Sequence, residues 1–236
     1  MKIGLIGDVH AEHELLATAL EFLTDEQVTQ ILCTGDIVDG RGCPHTCIEL
    51  LQAFDVSVVA GNHDRWLLQD KARHIANAHR RTEFSAAELE YLNNLPQTRT
   101  LATQFGRVRL CHGVQGNDLQ KVWPGTPRMP VERSQALDRV IAEDDVSYFI
   151  NGHMHYRCVI HFEQMTLINA GTLRPDHKPG IAILDLASHT VTGYEFASLP
   201  QAVRAIDTRA ARQPEGRVFR DTQAFDGNWQ MSALYA

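Results

Sequence analysis

Short apolar runs alternate with helical patterns in the first part of the chain. Residues 2–6, 30–34 and 57–60 are apolar runs of strand length, and each stops at a glycine followed by Asp or Asn. Between them, residues 13–23 place leucine and alanine at helical spacing, and residues 46–53 follow Pro44, which favours a helix start. This alternation predicts parallel strands joined by crossover helices.

The pattern changes after residue 64. Residues 64–78 and 86–94 have helical patterns, and Ser85 with Glu88 forms a capping box for the second helix. Residues 100–104 and 107–111 flank a Phe-Gly turn and predict a hairpin. After a Gly- and Pro-rich loop at 113–130, residues 133–143 predict a helix. A strand is then predicted at 146–150, followed by short strands at 157–162, 166–169, 181–185 and 189–196 as a run of antiparallel sheet.

The C-terminal part has a weaker fold signal. We expect a domain over residues 1–197 and a C-terminal extension over 198–236, with residues 201–212 as a candidate helix. The polar tail that follows carries spaced aromatic residues, namely Phe219, Phe225, Trp229 and Tyr235. The tail is interpreted as wrapping the surface or as a contact in a homo-oligomer.

Composition and charge narrow the functional classes. The chain has 236 residues, of which 44% are hydrophobic and 22% charged, as in ordinary globular proteins. Its net charge is -7 and it has no long basic tract, which argues against an extended nucleic-acid interface. The first apolar run is too short for a signal peptide, and no run approaches the ~18 residues of a membrane span. The odd number of cysteines, five, indicates reduced thiols, so we expect a cytoplasmic protein with no membrane interaction.

Metal-ligand residues follow five of the predicted strands. The blocks are Asp8-Val9-His10, Gly35-Asp36, Gly61-Asn62-His63-Asp64, His112-Gly113 and Gly152-His153-Met154-His155. Because ligands bind at the carboxyl ends of strands in open α/β sheets, we expect these blocks to meet at one edge of the sheet. Carboxylate, amide and imidazole ligands together suit Mn²⁺, Fe, Co²⁺, Ni²⁺ or Zn²⁺. A carboxylate can bridge two such ions about 3.5–4 Å apart, and a His-x-His pair on an extended segment projects both rings to one side, one for each ion.

In this order and spacing, the five blocks resemble the signature of calcineurin-like metallophosphoesterases, across residues 8–155. The later Asn169-Ala170-Gly171-Thr172 is similar to the Asn-Pro-Gly-Ser turn of small bacterial members. The chain has a Gly-His-x-His block and lacks the Asp-Arg-Gly of protein Ser/Thr phosphatases, so it looks more like the small bacterial phosphodiesterases. The resemblance implies an α/β fold, a four-layer αββα sandwich of two mixed β-sheets flanked by helices.

The resemblance also implies a role for each residue. One divalent ion would be bound by Asp8, His10 and His155, the other by Asn62, His112 and His153, with Asp36 bridging the two. His63 would be the general acid, and Asp64 would orient it. The implied reaction is hydrolysis of a small phosphoester or nucleotide by a hydroxide that bridges the two ions, with Mn²⁺ as first choice and Fe, Ni²⁺, Co²⁺ or Zn²⁺ as alternatives. Arg41 and Arg174 each follow a motif loop and are the candidate substrate contacts.

Several alternatives stay open from the residues alone. A metallophosphoesterase fold can serve as a non-catalytic binding or scaffold module, although here every ligand position is filled. The substrate can be a nucleotide, a cyclic nucleotide, a dinucleotide polyphosphate or an RNA-end phosphate, and the preference for monoesters or diesters is open. A nuclease is disfavoured, because the chain has no room for a DNA-binding domain. Asp39 is a motif residue kept off the ligand set, and surface or structural roles are expected for His45, His74, His79, His161, His177 and His189.

Overall fold

The computed structural model describes residues 1–123, 125, 130–143, 145–196, 203–212, 217–225 and 232–234. The strands are β1 (Lys2–Ile6), β2 (Gln30–Cys33), β3 (Ser57–Val58), β4 (Thr98–Thr103), β5 (Gly106–Cys111), β6 (Tyr148–Asn151), β7 (Cys158–Phe162), β8 (Thr166–Asn169), β9 (Gly180–Asp185), β10 (Thr190–Phe196), β11 (Val203–Ala210), β12 (Val218–Phe219) and β13 (Ser232–Ala233). The α-helices are α1 (His13–Asp25), α2 (Pro44–Ala53), α3 (Asn62–Leu68), α4 (Ala86–Asn93) and α5 (Gln135–Glu143).

The described strands form two mixed sheets. One has the order β11-β10-β9-β1-β2-β3, in which β1, β2 and β3 are parallel, as the sequence predicts, and β9 runs antiparallel to β1. The other has the order β12-β7-β8-β6-β5-β4, with β13 added beside β7. The hairpin of β4 and β5 is confirmed.

The later strands do not form one antiparallel run, which corrects the sequence prediction. Strands β7 and β8 pair antiparallel in the second sheet, whereas β9 and β10 pair antiparallel in the first sheet. A local pattern of short strands does not contain this information, because pairing partners are chosen by the packing of the whole chain.

Three apolar layers hold the sheets and helices together. Leu16, Leu20 and Leu23 of α1 pack on the outer face of the first sheet. Alternate residues of the strands, such as Ile3 and Leu5 of β1, fill the space between the two sheets, because successive strand residues point to opposite faces. A third cluster packs α5 against the outer face of the second sheet. This is the four-layer αββα sandwich.

The tail contributes to the third layer. Phe219 and Phe225 are buried and their rings lie 4.5 Å apart, with Phe162 of β7 beside both. These two aromatic residues therefore cover the second sheet of their own chain. Trp229 and Tyr235 lie outside the described residues.

Two predicted helices differ in the structure. The helix predicted over 64–78 is wrong beyond Leu68, where α3 ends, because Asp70, Ala72 and Asn77 have φ angles of 54°, 54° and 58°, in the left-handed region that an α-helix excludes. The resulting irregular stretch, residues 69–83, is called the 69–83 segment below. The candidate helix at 201–212 is also wrong for its described residues, since β11 pairs antiparallel with β10. Among the described residues, no helix is long and apolar enough to cross a membrane.

Candidate functional site

The predicted site residues come together from both sheets. Asp8, Asp36 and Asn62 follow β1, β2 and β3 of the first sheet. His10 also follows β1 of the first sheet, whereas the other candidate histidine ligands follow the second sheet, His112 after β5 and the His153/His155 pair after β6. The sequence prediction of a single sheet edge is corrected: the site lies where the carboxyl ends of two stacked sheets meet.

The backbone at the site is locally strained. His10, Asp36, Asp39, His153 and His155 have φ angles of 48°, 47°, 64°, 64° and 54°. Non-glycine residues rarely adopt this left-handed conformation, and such residues concentrate at functional sites. The His-x-His pair is therefore not extended, contrary to the prediction. Its two rings separate because of these φ angles, one towards His112 and the other towards His10.

Two glycines allow the strand ends to approach the carboxylates. A Cβ at residue 61 would collide with the Asp36 carboxylate, and one at residue 152 would collide with that of Asp8. Any larger residue at either position would displace the acidic side chain from the cluster.

Asp8, His10, Asp36 and His155 form a candidate metal site. Each offers one ligand atom, and these atoms lie within 4.8 Å of one another. The Nε2 atoms of His10 and His155 are 3.0 Å apart, and Oδ2 of Asp8 lies 3.2 Å from Nε2 of His155. Asp8, His10 and Asp36 are almost fully buried.

The second predicted ligand group lies on the other side of Asp36. The Nε2 atom of His112 is 2.9 Å from Oδ1 of Asn62 and 3.4 Å from Oδ2 of Asp36. The His153 ring lies 5.2 Å from that of His112. The same Oδ2 of Asp36 is 3.8 Å from Nε2 of His10, so this oxygen stands between the two groups.

Hydrogen bonds fix which ring nitrogen each histidine presents to the cluster. Nδ1 of His10 donates to the backbone carbonyl of Asp39, and Nδ1 of His112 donates to that of Thr34. Their Nε2 atoms are then free of protons and point into the cluster. Metal-binding histidines are commonly oriented in this way. The Nδ1 atom of His155 lies 2.7 Å from Nδ1 of His177, a neighbour that the sequence analysis had assigned a surface or structural role.

The electrostatics of the cluster suit bound cations. Burial raises the pKa of the Asp36 carboxyl well above its usual range; His63 opposes this and the Asp8 charge adds to it. Burial and the neighbouring His155 lower the pKa of His10 to about 3, and burial and His112 lower that of His153 to about 4. The rings of His10 and His153 are therefore neutral, which is the form of imidazole that binds metals. Buried carboxylates this close together are costly unless a cation offsets their charge, so the donor set fits divalent metal ions.

His63 lies beside this cluster and is held by Asp39. Its Nδ1 donates to Oδ2 of Asp39 at 2.8 Å, and its ring lies 4.8 Å from that of His10 and 4.9 Å from Trp66. Burial lowers the pKa of His63, but the Asp39 hydrogen bond and the Asp36 charge outweigh it, so the pKa lies above its usual value. The higher pKa favours the charged form of the ring, whose other nitrogen is available for proton transfer.

Asp64 does not orient His63, which corrects the sequence prediction. Its carboxylate is fully buried and accepts backbone N–H groups from Ile37 at 2.8 Å and from Gly61 at 2.9 Å. Asp64 sits in the first turn of α3, where it points back towards the loop after β2. It therefore ties that loop to the start of the helix, and Asp39 takes the place beside His63.

Sequence reasoning missed the surroundings of Asp39. Both Arg73 and His79 bind it, although they follow it by more than thirty residues in the 69–83 segment. The sequence carries no local signal for these contacts, since residues 64–78 were predicted to be one helix and His79 follows it.

Arg41 and Arg174 line one small cleft with Glu12, Asn77 and Asp176. Arg41 is exposed, whereas the guanidinium of Arg174 donates to both carboxylate oxygens of Asp176, at 3.0 and 2.8 Å. The structure therefore brings the two predicted substrate arginines together. Arg41 forms no described ion pair, whereas Arg174 is held in place by its ion pair with Asp176.

Known proteins resemble this chain in sequence and in structure. A curated relative, the uncharacterized protein MJ0912 of Methanocaldococcus jannaschii, is 35% identical over 66 residues, which are 28% of this chain and 27% of that protein. The match thus spans about a quarter of the relative's length. A metallophosphoesterase structure from Sphaerobacter thermophilus is 20% identical, with 89% of each chain covered and a TM-score of 0.61.

A hypothetical protein from Pyrococcus horikoshii has a similar structure at 13% identity, with 91% of this chain and 89% of that chain covered and a TM-score of 0.64. At these identities the structural likeness shows the fold. Residues 1–189 match the family model of the calcineurin-like phosphoesterase superfamily domain. The chain therefore belongs to the calcineurin-like phosphoesterase superfamily.

Proposed function

We propose that this protein hydrolyses small, nucleotide-like phosphoesters with two divalent metal ions, of which Mn²⁺ is the first choice. The observation that carries the proposal is the position of Asp36, whose Oδ2 lies 3.8 Å from Nε2 of His10 and 3.4 Å from Nε2 of His112. One carboxylate oxygen between two groups of imidazoles is the arrangement expected of a bridging ligand.

Each group would hold one ion. Asp8, His10 and His155 would bind the first, Asn62, His112 and His153 the second, and Asp36 both. When bound, the two ions would supply Lewis-acid stabilisation of phosphoryl charge and favour ionisation of water at neutral pH.

His63 would supply the proton. As water adds to phosphorus and the ester P–O bond breaks, the leaving oxygen takes a proton from Nε2 of the charged His63 ring. Asp39 stabilises that ring through Nδ1, at 2.8 Å. Arg41 and Arg174 would bind a second phosphate or another anionic part of the substrate, because both line the same cleft beside the motif loops.

The test is a turnover screen of the purified protein on bis-p-nitrophenyl phosphate, p-nitrophenyl phosphate, cyclic nucleotides and dinucleotide polyphosphates. We expect turnover with added Mn²⁺, two ions bound per chain by elemental analysis, and loss of turnover on chelation. A His45→Gln variant is the matched control, since His45 is partly exposed and pairs with Glu88 away from the cluster. Metal-loaded protein without turnover on any ester would contradict the enzyme proposal and favour a binding module.

A further inference from the structure

The Asp39 carboxylate is shared by more donors than the proposed reaction needs. It is completely shielded from solvent, and it accepts hydrogen bonds from the ring of His63, the guanidinium of Arg73 and the backbone N–H of His79. The guanidinium spans both oxygens, with Nη1 at 2.9 Å from Oδ1 and Nη2 at 2.9 Å from Oδ2. A forked contact of this kind fixes the rotation of the carboxylate as well as its position.

Arg73 is itself held in place by the 69–83 segment. Its Nη1 also donates to the carbonyl of His79 at 2.6 Å, and its Nε donates to the carbonyl of Lys71 at 2.7 Å. His79 is tied back to the same aspartate, because the N–H of Asp39 donates to Nδ1 of His79 at 3.0 Å. The 69–83 segment thus covers Asp39, and the guanidinium of Arg73 points at the Asp39 carboxylate.

The contacts converge on one oxygen. Oδ2 of Asp39 accepts from Nη2 of Arg73 and from Nδ1 of His63, at 2.9 and 2.8 Å. The rotation of the carboxylate that Arg73 sets therefore decides the direction of the hydrogen bond to His63. That bond in turn decides where the opposite ring nitrogen of His63 lies relative to the cluster.

We propose that Arg73 is a positioning residue, which acts through Asp39 to hold His63 in the orientation for protonating the leaving group. This rests on the proposed function. Among the described residues, the Arg73 side chain contacts neither the proposed metal ligands nor the cleft lined by Arg41, so we expect its effect through the Asp39 carboxylate to fall on the step that His63 performs.

The experiment compares Arg73→Ala, Arg73→Lys, His63→Asn and the double variant on two esters that differ only in leaving group. Thymidine 5′-(p-nitrophenyl phosphate) releases a stable phenolate that needs little protonation, whereas thymidine 5′-(phenyl phosphate) releases a basic one. The monoesters p-nitrophenyl phosphate and phenyl phosphate form a second such pair. Arg81→Ala is the matched control, because Arg81 lies in the same segment and, among the described residues, its side chain donates only to the carbonyl of Leu68.

We expect Arg73→Ala to lower kcat on the phenyl ester by roughly 10–100-fold, with a much smaller effect on the p-nitrophenyl ester and with KM and metal content unchanged. His63→Asn should show the same selectivity, and adding Arg73→Ala to it should cost little more, since the two residues act in one chain. The kcat of Arg73→Lys on the phenyl ester should lie between those of the wild type and Arg73→Ala. Lysine keeps the positive charge but cannot donate to both carboxylate oxygens as the guanidinium does.

Other results would overturn the proposal. Equal losses on both esters, loss of metal, additivity with His63→Asn, or behaviour like Arg81→Ala would each show that Arg73 does not act through His63. If Arg73→Ala does not fold, Arg73→Lys is judged by the same criteria. Metal-loaded wild-type protein that hydrolyses neither these pairs nor any other ester of the turnover screen would instead refute the proposed function itself, so the two failures are distinguishable.

Discussion

Replacing Asp64 by Asn separates a structural role from a catalytic one. Oδ1 of Asp64 accepts the N–H of Ile37 at 2.8 Å, and Oδ2 accepts that of Gly61 at 2.9 Å. Because N–H donors face both oxygens, the amide of Asn can satisfy only one side, and its NH₂ group would face a donor on the other. The variant has nearly the same volume, so packing changes little.

The expected loss follows from this geometry. One charge-assisted hydrogen bond disappears and one buried N–H group stays unpaired, which together cost about 2–4 kcal/mol of unfolding free energy. For a chain of this size the melting temperature should fall by roughly 5–15 °C. Asp36 and Asn62 flank the same connection, so the variant should also bind metal more weakly.

The assay is thermal unfolding of the metal-free variant, because bound metal would stabilise the fold by mass action. Asp145→Asn is the control, since Asp145 is partly exposed, pairs with Arg107 at 2.8 Å and should contribute less than about 1 kcal/mol. An unchanged melting temperature, combined with a loss of turnover selective for poor leaving groups, would refute the reasoning. Asp64 would then act through His63, as the sequence predicts.

Two further predictions concern the proposed metal centre. Asp36→Asn should lower metal occupancy in both groups, because Oδ2 of Asp36 lies between Nε2 of His10 and of His112; two ions bound per chain by elemental analysis would disprove the bridging role. In the metal-free protein, the contribution of His10 to stability should fall as the pH falls. The pKa of His10 is about 3 in the folded state against 6.5 ordinarily, so below pH 6.5 the unfolded chain binds a proton that the folded chain does not. Between pH 7.5 and 5 this difference in proton binding lowers the free energy of unfolding by roughly 2 kcal/mol. Urea unfolding at both pH values measures it, and His10→Asn should remove that part of the slope; an identical slope in the variant would contradict the assignment.

The sequence predicted the local elements well where their signals were local. Strand β1 and strand β8 have the predicted bounds, and the capping box of Ser85 and Glu88 is present at the start of α4. These features depend on periodicity and on residues a few positions apart. The helix predicted over 64–78 was wrong because three left-handed residues after Leu68 turn the chain away from a helical path.

In the candidate site too, the local signals were readable from the sequence and the long-range contacts were not. The five blocks were recognisable because each comes after a predicted strand and places a ligand-type residue beside a glycine. The partner of His63 was assigned to Asp64, its neighbour in sequence, whereas the structure places Asp39 there. Asp64 lies on the helix as an acceptor for backbone groups, and only the path of the chain after β2 brings the other carboxylate to the ring.

By itself, the sequence determined the family, the chemical types at the site and the order in which strands deliver them. Those properties are carried by residue identity and short spacing, which no tertiary contact can alter. Tertiary structure alone decided that two sheets supply the ligands, that Asp39 holds His63, and that Arg73 and His79 close over Asp39. These contacts join residues far apart in the chain, and their geometry is set by packing and by buried polar groups that must find partners.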